Sequence, residues 1–264
     1  MKKMAKDRVV KRRNGQTTYF ASDIAYHLNK LQRGYTDLID IWGSDHHGYI
    51  SRVKAAIDAM GYDSKKLTVL LVQFVSLWRG GEMVQMSSRS GQFVTLRDLR
   101  KEVGNDAARF YYVMRKSEQH IDFDLDLAVS QSKDNAVYYI QYAHARVNSI
   151  LNRAKEKGIT FDVASARQVA NLLALETETE ILAKLAAYPE ILIRAANVYE
   201  PHQIGNYLKD LAALFHGWYA QDGVKFVDET NIPLSQARLL LSINVQQVLR
   251  NGLELLGVSA PEAM

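Results

Sequence analysis

Residues 39–50 read IDIWGSDHHGYI. An apolar run (Ile39, Ile41, Trp42) stops at Gly43, and the polar groups of Ser44, Asp45, His46, His47 and Tyr49 follow at once. The next stretch, SRVKAAIDAMG, has helical spacing and ends at Gly61. A strand that hands polar side chains to a loop before a helix is where open parallel sheets bind ligands. The stretch predicts an α/β unit with a substrate pocket on this loop.

The flanks extend that reading. Residues 2–13 carry seven basic side chains and one acid, NGQ (14–16) is a turn signal, and TTYFA (17–21) reads as extended. Ser22 is the expected N-cap of the helix DIAYHLNKLQRG, closed by Gly34. Asp23 then falls in a first helical turn, where the dipole favours an acid whatever else it does. Downstream, LTVLLVQFVSL (67–77) reads as one buried strand. Arg79-Gly80-Gly81-Glu82 forms a tight turn, with MVQM (83–86) as the returning hairpin strand. Thr95, with Asp98 three residues on, opens a helix that Gly104 ends, and Asn105 caps the next. Three or four strands are few for an independent doubly wound sheet, so the unit reads as half of one.

From about residue 134 the pattern is helical. Apolar residues at 137, 140, 143, 147, 150, 151 and 154 keep the 3.6 period until Gly158. Further helices are expected over 166–187, 189–199, 201–221 and 235–256, and five helices with short loops predict a bundle. The fold class is therefore α/β plus all-α: residues 1–125 form the mixed domain and 126–264 the helical one, with 118–133 at the boundary.

The composition is that of an ordinary globular chain: 264 residues, 47% hydrophobic, 23% charged, net charge +4. The absence of cysteine excludes disulfides and thiolate metal sites and fits a reducing compartment. No apolar run is long enough to span a bilayer, and no signal-peptide core follows the basic start, so no membrane is expected.

Several motifs could carry chemistry. SDHH offers metal-ligand types, as in DHH phosphoesterases, but a metallohydrolase needs further ligand clusters and the mixed region adds only His27 and His120; no metal is expected. DFDLD (122–126) starts like a calcium loop but has Leu127 where glycine is required. SSRSG (87–91) suits a phosphate cradle of hydroxyls, backbone N–H groups and a guanidinium, or a plain surface loop. In the bundle, Tyr138, Tyr139, Tyr142, His144 and Arg146, and later Phe215, Trp218 and Tyr219, place aromatics beside bases. Such stripes are usually core, yet this mixture suits stacking of unpaired bases.

TYFASDIAYH, IWGSDHHGYI, LVQFVSLWRGGEMVQMSSRSGQFVTLRDLRKEVG, YYIQYAHAR, LFHGWY and the terminal LLGVSAPEAM, in that order, resemble the arginyl-tRNA synthetases, class I aminoacyl-tRNA ligases. The resemblance spans nearly the whole chain. It implies the second half of a Rossmann-type catalytic domain followed by an α-helical anticodon-binding domain, with the family's HIGH motif expected upstream of Met1. It implies that Tyr19, Asp23 and His46 line an arginine pocket and that Gly43, Ser44, Asp45 and His47 face ATP and the adenylate. Met86, Ser87, Ser88 and Arg89 fall at the KMSKS loop, where Gln85 and Ser88 replace the two lysines. Tyr139, Arg146, Phe215, Tyr219 and Met264 match anticodon-loop contacts, and Ala136 replaces a usual proline. The implied partners are L-arginine, tRNA and ATP with its Mg2+, in a cytoplasmic enzyme that is monomeric as a whole. A rival reading is a free-standing paralogue that binds tRNA or arginine without catalysis. On either reading, no aminoacylation is expected of these 264 residues alone, which contain no HIGH-like tetrapeptide.

Overall fold

The computed structural model describes residues 7–84 and 94–264. Met86, Ser87, Ser88 and Arg89 lie outside the described residues. The chain forms two compact units, Met1–Phe74 with Ser117–His120, and Val75–Lys116 with Ile121–Met264. By packing it therefore divides elsewhere than at the change of sequence pattern near residue 125.

In the first unit, helix α1 (Tyr19–Gln32), strand β1 (Leu38–Gly43), helix α2 (Ile50–Ala59) and strand β2 (Leu67–Val72) follow in order. The expected NGQ turn is present: Arg12 N donates to Gln16 O and Gly15 N to Arg12 O. The extended reading of TTYFA and the Ser22 cap are corrected. Helix α1 starts at Tyr19, and the Thr18 hydroxyl at its N-cap donates to the carbonyls of Val9 and Val10, which fixes the chain's entry. Strands β1 and β2 pair in parallel from Leu38↔Leu67 to Gly43↔Val72. This is the β-loop-α-β unit that IDIWGSDHHGYI predicts, with a 3-10 turn over Ser44–Tyr49 leading into α2. Leu31, Leu38, Val53, Ile57 and Leu67 form its small core.

LTVLLVQFVSL is two strands rather than one. After β2 the chain leaves the first sheet, and β3 (Val75–Arg79) joins a second. The break is at Gln73, whose backbone N–H goes to Ser117 O and whose side-chain oxygen accepts from Phe74 N, so neither residue continues a ladder. In the second unit β3 pairs antiparallel with β4 (Glu82–Met83), the expected hairpin, and parallel with β5 (Ile121–Asp124), a stretch the sequence left as boundary. Helix α3 (Leu96–Val103) carries the expected capping box: Asp98 N donates to Thr95 Oγ1 at 3.1 Å and Thr95 N to Asp98 Oδ2 at 3.3 Å. Helices α4 (Asn105–Val113) and α5 (Leu125–Val129) lead into α6 (Ala136–Glu156), α7 (Val163–Gln168), α8 (Glu176–Ala186), α9 (Tyr188–Asn197), α10 (His202–Ala220) and α11 (Ile232–Leu255). The single helix expected over 166–187 is two, because Glu178 caps α8 at Leu175 N and is buried against Arg238, 2.8 Å away. One core runs from Leu77 and Phe123 through Ile140, Val147, Phe215 and Trp218 to Val258.

Candidate functional site

In the first unit, α1 and the carboxyl end of β1 enclose a cavity of about 750 Å³. Tyr19, Asp23, Gly43 and His46 all line it, as do Tyr26, His27, Lys30, Asp40, Trp42 and Tyr49. Asp23 is the fifth residue of α1, past the first turn in which the sequence places it, and its Oδ2 accepts from the Tyr49 hydroxyl at 2.6 Å. Burial, and then that bond, push the Tyr49 phenol up to about 12, so it stays a donor at neutral pH. The ring is wedged between Phe20 and Trp42, each 5.9 Å away between centroids.

A buried ionic cluster lies beside Asp23. His27 Nδ1 meets the Asp23 carbonyl at 2.7 Å and Nε2 meets Asp40 Oδ2 at 2.8 Å, while Lys30 Nζ donates to Asp40 Oδ1 at 2.7 Å. A carbonyl and a carboxylate only accept, so both ring nitrogens must donate, and only the imidazolium has two N–H groups. The Asp40 hydrogen bond accordingly raises the His27 pKa against the opposing effect of burial. Burial pushes the Asp40 carboxyl up, but the bonds from His27 and Lys30 outweigh it and hold the value below normal. The cluster ties α1 to β1 and fixes the turn of helix that carries Asp23.

The loop residues behave differently. An added Cβ at Gly43 would lie 2.6 Å from Asp45 Oδ1, so the glycine gives that carboxylate its room. Asp45 and His46 approach only to 3.7 Å with both side chains more than half exposed, which makes a weak pair. Ser44 Oγ donates to Gln73 Oε1 at 2.8 Å, which anchors the loop to the end of β2. His47 is exposed, and Ser44, Asp45 and His47 are not among the residues lining the cavity. Tyr19 stands 91% exposed at its margin.

In the second unit a cleft of about 210 Å³ is lined by Tyr142, Ala145, Arg146, Ser149, Tyr219, Ala263 and Met264. The Arg146 guanidinium lies 4.3 Å from the Tyr142 ring centre and 4.4 Å from that of Tyr219, and it donates to the Tyr142 hydroxyl at 2.6 Å. Cation–π contact on two rings holds the charge in place without neutralising it. Its other branch meets His216 Nδ1 at 3.4 Å, while His216 Nε2 donates to the Tyr139 carbonyl at 3.1 Å. This fixes the neutral Nε2–H tautomer, and burial lowers the His216 pKa accordingly. The terminal segment is pinned to α6: His144 Nδ1 donates to Pro261 O at 2.8 Å, Asn148 Nδ2 to Glu262 O at 3.0 Å and Gln141 Nε2 to Ser259 O at 2.9 Å. Gly257 starts it, at φ +68° and with Arg109 where a Cβ would be.

Arg146, Tyr219 and Met264 thus meet in one cleft. Tyr139 stands behind it, its ring 4.4 Å from His216. Phe215 requires a correction: it is fully buried under Tyr219 and against Trp218 and Phe226, with no surface to offer a ligand. Tyr142 is the aromatic that the sequence reading passed over in favour of Tyr139. Its spacing of four before Arg146, one helical turn, is the signal that selects it.

Residues 2–154 match the family model described as tRNA synthetases class I (R), catalytic domain, and residues 140–264 match the DALR anticodon binding domain. With the observed fold, the two matches define a class I tRNA synthetase catalytic portion followed by an all-helical anticodon-binding domain. Within that class the chain belongs to the arginyl-tRNA synthetase family. An arginine–tRNA ligase of Acinetobacter baumannii is 84% identical over 259 residues, covering 98% of this chain and 43% of that protein. One from Psychrobacter sp. is 62% identical, covering 98% and 44%. Among solved structures, a Campylobacter jejuni chain named for arginyl-tRNA synthetase aligns with a TM-score of 0.86 at 36% identity, over 98% of this chain and 55% of that one. Thermus thermophilus arginyl-tRNA synthetase aligns at 0.74 and 25%, over 97% and 51%. The chain spans about 43% of the length of the A. baumannii ligase.

Proposed function

We propose that this chain supplies the arginine pocket and the anticodon-binding surface of an ATP-dependent arginine–tRNA ligase. One observation carries the reading. In the first cavity Asp40 is paired with His27 and Lys30, whereas Asp23 makes no ion pair among the described residues and has its carboxylate turned by Tyr49. A carboxylate held in this way, beside the rings of Tyr19, Tyr26 and Trp42, is complementary to a guanidinium, which takes two parallel hydrogen bonds and stacks on aromatic faces. His46 completes the same pocket.

The reaction has two steps. The arginine carboxylate attacks the α-phosphorus of ATP and pyrophosphate leaves; the terminal ribose hydroxyl of tRNA then attacks the arginyl carbonyl and AMP leaves. No nucleophilic side chain is required, since positioning and charge stabilisation supply the rate. Gly43, Ser44, Asp45 and His47 face the nucleotide, and Met86, Ser87, Ser88 and Arg89 face its phosphates and their Mg2+. Arg146, Tyr142, Tyr219 and Met264 take an anticodon base, with Tyr139 and Phe215 behind them. Residues 1–125 and 126–264 are the corresponding functional domains of an enzyme that is cytoplasmic and, as a whole, monomeric. The non-catalytic paralogue is not favoured, since the relatives matched over 98% of this chain are ligases.

Calorimetric titration of L-arginine into the purified chain, with and without tRNA, tests the pocket. Saturable binding lost in Asp23→Asn is expected, and binding indifferent to that change would overturn the assignment. Because these 264 residues hold no HIGH tetrapeptide, the isolated chain is expected not to charge tRNA, and robust arginylation by it would refute that claim.

A further inference from the structure

We propose that the RNA strand held at the Arg146 cleft continues into a second cleft, where Arg153 holds one of its backbone phosphates. This rests on the anticodon reading above and adds a contact to it. The second cleft, about 660 Å³, is formed by the C-terminal turns of α6 and the segment 224–230 that follows α10. It shares Ser149 and Tyr219 with the first, so the two are neighbours on one surface.

The helix sets the direction. Tyr142, Arg146, Ser149 and Arg153 follow at steps of four, three and four, which places them on one stripe of α6. At 1.5 Å per residue, about 10 Å of helix separates Arg146 from Arg153, so a strand seated against Arg146 must pass Arg153 or turn away.

The charges select the ligand. Within the second cleft Lys157 is bonded to Glu229 at 3.0 Å and Lys225 lies 3.8 Å from Asp228. Arg153 is exposed and makes no side-chain hydrogen bond or ion pair among the described residues. Among the described lining residues it is the cation with no carboxylate within 4 Å, and the Lys225 pair is a weak one. Phe226 and Val227 are buried and offer no exposed ring for a second base to stack on. The part-exposed ring of Tyr219 also lines this cleft but is engaged by Arg146 at the first, so the further cation fits the sugar–phosphate chain rather than a second base.

The test uses the 264-residue chain and a synthetic anticodon stem-loop RNA, with affinity read by fluorescence anisotropy across a salt series. Arg153→Gln should bind about fivefold more weakly at 0.1 M salt, and the slope of log K against log salt should shrink by about 0.7, one single-strand phosphate contact. The loss should be equal for a stem-loop with altered loop bases. Arg153→Lys should stay within twofold of the parent, since a point charge serves a phosphate. Unchanged affinity and slope in Arg153→Gln, a loss confined to one loop sequence, or a lysine variant as weak as the glutamine one would each overturn the proposal. Arg146→Gln separates the two readings. Weak binding by it beside normal binding by Arg153→Gln removes only this inference, whereas normal binding by Arg146→Gln removes the anticodon reading and this inference with it.

Discussion

The buried histidine at the cavity of the first unit, His27, is an imidazolium, and the two histidines behind the cleft of the second are neutral. His27 donates from both nitrogens, to Asp40 and to the Asp23 carbonyl. His216 donates to one carbonyl and meets a guanidinium with its other nitrogen, and the buried His144 donates to Pro261 while its Nε2 has no partner among the described residues. Burial acts against the charged form in every case, so the neighbours decide. The difference reaches the ligand. In the first unit the fixed cations are consumed by Asp40, and a carboxylate, Asp23, is left for a cationic substrate. In the second, neutral histidines leave the charge of Arg146 unopposed for an electron-rich or anionic one. The first site satisfies its cations internally, and the second keeps its histidines uncharged.

That contrast can be broken at several points. The largest effect is expected where the second site rests on the core: Phe215→Ala should cost about 3–5 kcal/mol in urea unfolding, as removal of a fully buried ring does. Tyr219→Ala should leave stability nearly unchanged and weaken tRNA binding instead. If both variants bind tRNA normally, the anticodon surface is elsewhere. Next, Asp40→Asn leaves His27 and Lys30 without their carboxylate in a buried place and should destabilise by about 3 kcal/mol. The loss should be read as accelerated hydrogen exchange in α1 and β1, with tRNA affinity unchanged. A harmless Asp40→Asn would mean that the cluster is not what holds α1 against β1. Smaller still, Asp23→Asn keeps an acceptor for Tyr49 and should leave the fold intact, while arginine binding falls about tenfold or more. A comparable loss of stability would recast Asp23 as a structural partner of Tyr49 in place of a substrate ligand.

What was legible follows from range. The strand, loop and helix of residues 39–61, the Gly80-Gly81 hairpin and the Thr95 capping box are set by neighbours in sequence, and the residues state them directly. Tyr19 was misplaced because β-branched threonines before an aromatic look extended, whereas the Thr18 hydroxyl is occupied eight and nine residues back. The split at Gln73 is invisible in an apolar run, because the change of sheet is decided by Ser117 and by partners in β5. The same limit applies to the site. Asp23, Gly43 and His46 sit in motifs, but the cluster that positions Asp23 joins residues ten and thirteen apart across a turn, and Asp40 inside a strand gives no local sign of it. Phe215 shows the converse: a match by motif says which residue is constrained, and only packing says that its constraint is burial.

The finest test of the contrast is the sign of the pH dependence. Stability changes with pH according to the difference in protons bound by the unfolded and folded states. The folded pKa of His27 is raised above 6.5, so between 6.5 and the raised value the folded state binds more protons. Its contribution is complete below 6.5 and is lost as pH climbs through the folded value. His144 and His216 are shifted the other way, both chiefly by burial. Below 6.5 the unfolded state binds their protons first, so their sites are destabilised as pH falls toward the lowered values. Amide exchange corrected for its intrinsic pH dependence should therefore show α1 and β1 better protected at pH 6 than at pH 8, and α6 and α10 better protected at pH 7 than at pH 5. His27→Gln should flatten the first trend and leave the second. Asp40, whose carboxyl is held low, adds stability that is lost only in stronger acid, below its ordinary 3.8, so it does not confuse the window. Equal slopes in the two regions would mean that the imidazolium deduced from two acceptors does not form, and with it would fall the charge pairing that leaves Asp23 free.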